Sequence, residues 1–291
     1  MKPYEKDYSN KWVLLNSKIE NGVQKNQVIE ITKDEANEIE VHQENILEYQ
    51  LIYRKYLTVR NNLIDIYRVI EEFQCKILKV KITKSMDTQK EAYIEINRVF
   101  INFVTSLKSF VEDFLLNNFL PKIYGKNSEQ VKRFRAKTNE LYDSELSYKF
   151  LMRIRDFAVH YELPIYYLEV GLTPKNMSDF PESVRIEPMF VKEHLFKNKT
   201  FKSKLINDLK SYNKKFPVRP ILNSIRKILD EVIESILSLD NGKYKSSANK
   251  ILEFEYRFKE PNEVWYGLVH ADKPYNLTKL ESENAKKINK Y

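Results

Sequence analysis

Arginine, aspartate and histidine come together in one short stretch, "RIRDFAVHYELP", residues 153 to 164, of a chain with only four histidines in 291 residues. A helix advances about 100° per residue, so Arg153, Asp156 and His160 share one stripe and Arg155 lies on the neighbouring face. Asp156 and His160 stand four apart, within hydrogen-bonding reach on a helix, and such a bond would orient the imidazole. This grouping suits phosphoryl chemistry on RNA. Histidine can take the proton from a 2′-hydroxyl or give one to the leaving oxygen. Arginine can clamp the phosphate bidentately and stabilise transition-state charge, and no metal is needed. The competing assignment is structural: a histidine favoured as a cation near a helix C-terminus, with ordinary surface charges upstream.

Other chemistries find little support. Five glycines form neither a phosphate-binding loop nor a dinucleotide fingerprint. There is no His-Glu-x-x-His and no histidine cluster, so no metal and no cofactor are expected. The single cysteine, Cys75, rules out a disulfide framework within the chain and reads as a small buried apolar residue, consistent with a reducing cytoplasm. Residues 1 to 15 lack the apolar core of a signal peptide, and no apolar run approaches ~20 residues, so a cytoplasmic chain with no membrane span is expected. The net charge of +8, from 49 basic and 41 acidic residues, favours polyanionic partners.

The elements that must position the cluster are mostly helices. Trp12 to Leu15 and Val28 to Ile31, around Asn21-Gly22, suggest a short hairpin. From about Lys33 to Lys79 a helical apolar period runs through Ile46, Leu47, Tyr49, Leu51, Ile52 and Tyr56 to Ile70, with Thr32 as the cap. A second long helix carries Tyr93, Ile96, Phe100, Phe103, Leu107, Phe110 and Phe114, and Pro121 marks its end. Asn97, Asn102 and Ser106 lie on or beside its apolar side, where polar groups need partners or a function.

A charged helix from Ser128 to about Tyr142 offers Lys132, Arg133, Arg135 and Lys137 either to solvent or to phosphates. The motif helix, about Ser144 to Glu162, ends before Leu163-Pro164. "IYYLEVGL" and "SVRIEPMFV" then form a hairpin or two edge strands, with Pro188 indicating an edge or a bulge. Helix resumes over residues 200 to 239 with a break at Pro217 and Pro220, is stopped by Asn241-Gly242, and the last ten residues form a weakly packed tail. No linker forces a boundary, so one mainly α domain is expected.

"RDFAVH" resembles the signature of HEPN-superfamily ribonucleases: arginine, often a polar residue next, then histidine after a gap of four to six. Arg155 to His160 matches with a gap of four, Arg153 to His160 with a gap of six, and Asp156 holds the polar position. "INRVFINFVTSLKSFVEDF" resembles the companion helix of uncharacterised bacterial members, with Asn102, Ser106 and Glu112 on it. The resemblance covers residues about 45 to 165; a β segment at about 165 to 192 and a helical extension at about 200 to 291 lie outside it. Some toxin members carry a tyrosine two residues after the histidine; here Glu162 stands there and Tyr161 directly follows His160.

The resemblance implies a helical bundle and a metal-independent endoribonuclease. His160 is then the general acid/base, Arg155 holds the scissile phosphate, and Asp156 orients His160 or meets RNA. Arg153, Tyr161, Asn102 and Ser106 would support the site or bind RNA. It further implies a homodimer built on helices around residues 89 to 162, a role in phage defence or as a toxin, and control by an antitoxin or other regulatory protein. Some members have lost catalysis and only bind RNA or protein.

Overall fold

The structure is a computed structural model describing residues 11–174, 179–239, 242–258, 265–270, 278–279, 285–286 and 288. Residues 1–10, residues 175–178 of the expected turn, Asn241 of the expected helix stop and most of the expected C-terminal tail lie outside these residues. The chain is mainly helical, with two small antiparallel sheets, and divides into two compact units, 1–54 with 237–291 and 55–236. Among the described residues no helix is long and apolar enough to cross a membrane.

In the first unit β1 (Trp12–Glu20) and β2 (Val23–Ile31) form the expected hairpin. Its two-residue turn has positive φ at both Asn21 (53°) and Gly22 (76°), the conformation that gives a two-residue turn the twist of its strands. The first half of α1 (Lys33–Leu78) follows and opens with a capping box. The Glu35 amide donates to Thr32 Oγ1 (3.1 Å) and the Thr32 amide to Glu35 Oε2 (2.9 Å).

The second unit holds the rest of α1, then α2 (Ser85–Lys108), a π-helical stretch (Ser109–Phe119), α3 (Leu120–Tyr124), α4 (Glu129–Ser144) and α5 (Leu146–His160). β3 (Tyr167–Pro174) and β4 (Pro181–Val191) make a hairpin, and α6 (Lys192–Leu195), α7 (Lys199–Leu205), β5 (Lys215–Pro217) and α8 (Arg219–Leu237) follow. α9 (Lys243–Tyr256), β6 (Trp265–His270) and β7 (Thr278–Lys279) return to the first unit, whose sheet runs β2-β1-β6-β7.

Several expectations change. Pro121 does not end the second helix; it sits in the first turn of α3, where a missing N–H costs little, and the chain leaves the helix at Gly125 (φ 90°). β4 is the central strand of β3-β4-β5, not an edge. Pro188 is tolerated because β5 pairs only with Met189 to Val191, so the missing N–H points past the end of that ladder while the Pro188 carbonyl accepts from the Val218 amide (3.0 Å). α7 is shorter than the expected helix, ending at Leu205. Leu47 and Leu51 are exposed. So is Cys75, which is two residues from both Phe73 and Ile77 and turned away from the face those residues bury.

The core of the second unit places the motif helix. α5 buries Tyr148, Phe150, Leu151, Met152, Ile154 and Phe157. The Phe150 ring meets Phe190 of β4 (5.0 Å), Phe201 of α7 (5.8 Å) and Phe216 of β5 (6.0 Å) in edge-on geometry. The β segment and α7 thus form the surface on which α5 rests. Burying each of these rings contributes about 2–3 kcal/mol.

Candidate functional site

α5 ends where its partners hold it. The amides of Tyr161 (2.9 Å) and Glu162 (3.3 Å) both reach back to the Phe157 carbonyl, and the backbone turns out of the helix at Tyr161. Two buried side chains then fix the exit. Asn97 of α2, fully buried, donates to the Ile165 carbonyl and accepts from the Ile165 amide, each at 3.1 Å. His194 of α6 meets the Leu163 carbonyl through Nε2 (2.9 Å), packs against Phe157 and Tyr166, and places Nδ1 3.4 Å from Glu162. The polar residue noted on the apolar side of α2 therefore has its partner: the backbone immediately after the motif.

His160 is the last residue of α5 and is exposed. Its ring forms no hydrogen bond or ion pair with a described residue. The expected Asp156–His160 bond is not formed. Asp156 Oδ1 instead accepts from Lys108, the last residue of α2 (2.7 Å), and from Arg155 (3.2 Å). Burial raises the Asp156 carboxyl, but the bonds and charges of Lys108 and Arg155 outweigh it and hold the group below its ordinary pKa. Lys108 also lies 3.7 Å from Glu112.

The two arginines have different surroundings. Arg153 donates to the Tyr142 hydroxyl of α4 and lies over that ring (5.2 Å). Arg155 spends one N–H on Asp156, and its buried Nε has no hydrogen-bond partner among the described residues. At about 100° per residue Asp156 and His160 lie roughly 40° apart on α5, whereas Arg155 is roughly 140° from His160 with the buried Met152 and Tyr148 positions between them, and it reaches Asp156 and solvent through its long side chain, which is 28% exposed.

The remaining expected residues are less engaged. Ser106 donates to the Phe103 carbonyl of its own helix (2.8 Å), Asn102 is exposed, and Tyr161 packs on Phe157 (5.1 Å) with half its surface in solvent. Sequence reasoning missed Lys108 and His194. Lys108 is 48 residues from Asp156 and His194 is 31 from Leu163, and nothing local in either segment marks the encounter. Among the described residues no group of three or more His, Cys, Asp or Glu side chains is placed to hold a metal ion. No protein-family model, curated protein or solved structure matches the chain.

Chemically, the arrangement offers an exposed imidazole at a pinned helix end, with a carboxylate-braced guanidinium and an ammonium group one to two turns back. The imidazole can carry a proton either way, and the guanidinium keeps N–H groups beyond the one on Asp156.

Proposed function

We propose that the chain is a HEPN-type, metal-independent endoribonuclease of the cytoplasm. It serves as a phage-defence effector or toxin, works as a homodimer, and is held in check by an antitoxin or regulatory protein. The observation that supports this reading most is the condition of His160: exposed, without a side-chain partner, and one turn beyond the Arg155–Asp156 pair on the same helix.

In this reading the substrate's 2′-oxygen attacks the adjacent phosphorus while the bond from phosphorus to the 5′-oxygen breaks. His160 takes the 2′-hydroxyl proton or protonates the leaving oxygen, and the partner copy's equivalent imidazole does the other. Arg155 neutralises the charge growing on the phosphoryl oxygens. Asp156 braces Arg155, and does not orient His160. α4 adds Lys132, Arg133 and Arg135, exposed and without ion-pair partners among the described residues, as contacts for RNA phosphates.

The test is cleavage of single-stranded RNA by the purified chain in EDTA, with end-group analysis. A 2′,3′-cyclic phosphate is expected, with activity falling by at least about 100-fold in His160→Ala. Wild-type cleavage by that variant would overturn the assignment. A second reading, a HEPN-like module that binds RNA or protein without cutting, is favoured by the diversion of Asp156 to Lys108, which leaves the imidazole unoriented. Its outcome is salt-sensitive RNA binding with no product.

A further inference from the structure

α1 and α8 enclose a groove of about 390 Å³ in the second unit, away from the motif. On α1, Tyr56, Arg60, Leu63, Ile64 and Tyr67 repeat at three- and four-residue intervals, so they lie along one face. Leu222, Asn223, Arg226 and Leu229 do the same on α8. Two hydrogen bonds cross between the helices: Tyr56 to Asp230 (2.6 Å) and Tyr67 to Asn223 (2.7 Å). The helices therefore run antiparallel here, and Arg60 and Arg226 both fall between the two tyrosine bonds.

Neither arginine side chain has a hydrogen bond or ion pair to a described residue. Arg68, two turns further along α1, has both Asp65 (2.8 Å) and Glu72 (3.6 Å). The nearest carboxylate to the arginine pair along α8, that of Asp230, accepts from the Tyr56 hydroxyl and forms no ion pair with Arg226. Two guanidiniums without a neutralising partner line one groove, and a doubly charged anion held there would gain from both charges and from their N–H donors. The floor beneath them is apolar, with Leu63, Leu222 and Leu229 buried, and Ile64 on the lip is half exposed.

We propose that this groove binds a small organic phosphate of mononucleotide size, its phosphate held by Arg60 and Arg226 and its flat or apolar part lying on the leucine floor. The volume is within the range of small-molecule sites. The tyrosine bonds bracket the groove at both ends, which favours a compact ligand over a continuous RNA strand.

Calorimetric titration of the full chain with AMP, UMP, adenosine and inorganic phosphate tests this. Saturable binding of a nucleoside monophosphate is expected, with inorganic phosphate weaker and adenosine without detectable heat. Arg60→Gln and Arg226→Gln should each weaken binding by about tenfold or more, with unchanged circular dichroism showing that the fold persists. His160→Ala should bind AMP as the parent does, so this result and the ribonuclease reading stand or fall separately. No heat from either monophosphate at millimolar concentration, or undiminished binding in the double variant, overturns the proposal. So does a short RNA that displaces AMP and binds far more tightly, which would make the groove part of an RNA path.

Discussion

Replacing Asn97 tests how α5 is held. Its amide carries both polar groups of Ile165, a residue that is itself 0% exposed, so neither the amide nor the carbonyl can turn to water if Asn97 is lost. Each buried backbone group left without a partner costs about 1–3 kcal/mol, which puts Asn97→Leu at about 2–6 kcal/mol, with the leucine filling the space so that no cavity adds to the loss. The third bond, to the Tyr93 carbonyl (3.1 Å), adds little because that oxygen already belongs to the helix ladder. At a urea slope of about 2–3 kcal/mol per molar, a midrange loss lowers the unfolding midpoint by roughly 1.5 M. Amide exchange gives a local reading: the Ile165 N–H should pass from strongly protected to fast in Asn97→Leu, while the Phe157 N–H inside α5 changes less. Asn97→Leu within about 0.5 kcal/mol of the parent, or Ile165 still protected, would refute the claim that this asparagine fixes the exit of the motif helix.

Two further outcomes follow from the polar contacts. Asp156 has a depressed pKa when folded, so its contribution is complete above the unfolded carboxylate value and is lost as pH falls below about 4 through the folded one. Asp156→Asn should flatten that part of the stability–pH curve in urea melts and cost no more than about 1 kcal/mol at pH 7, since solvent reaches the pair; an unaltered acid limb would show that Lys108 and Arg155 do not hold the carboxylate. Thr32→Ala removes the acceptor that caps α1 and should destabilise the chain by about 1 kcal/mol in thermal melts; no change would mean that the capping box at Thr32 and Glu35 is not formed in solution.

The sequence revealed features set by local rules. The helix cap at Thr32, the turn at Asn21-Gly22 and the period of α1 each depend on residues within about one or two turns of each other. Pro121 and Pro188 were misjudged because their tolerance depends on neighbours: a helix restarting after a π-helical stretch in one case, a ladder only three residues long in the other. The division into two units was not legible, since it falls inside α1 and α8 with no linker composition at either place. Within the site, the motif and its helix could be read because they are contiguous. Lys108 and His194 could not, because only tertiary folding brings a lysine at the end of α2 to Asp156 and a histidine of α6 to the backbone after α5.

The fate of Asp156 shows why spacing alone misassigns a carboxylate. Four residues apart on a helix, Asp156 and His160 meet the geometric condition for a bond, yet an exposed i,i+4 pair at a helix end is worth only a few tenths of a kcal/mol. Lys108 offers a charge-assisted bond at 2.7 Å, with its own side chain only 18% exposed, and such a bond is worth more than an exposed contact with the histidine. The carboxylate therefore goes to the half-buried Lys108 and, through the same oxygen, to Arg155. This makes Asp156 a brace for the arginine and leaves the orientation of His160 to whatever occupies the open side of α5, whether a bound phosphate or the same surface of a second copy.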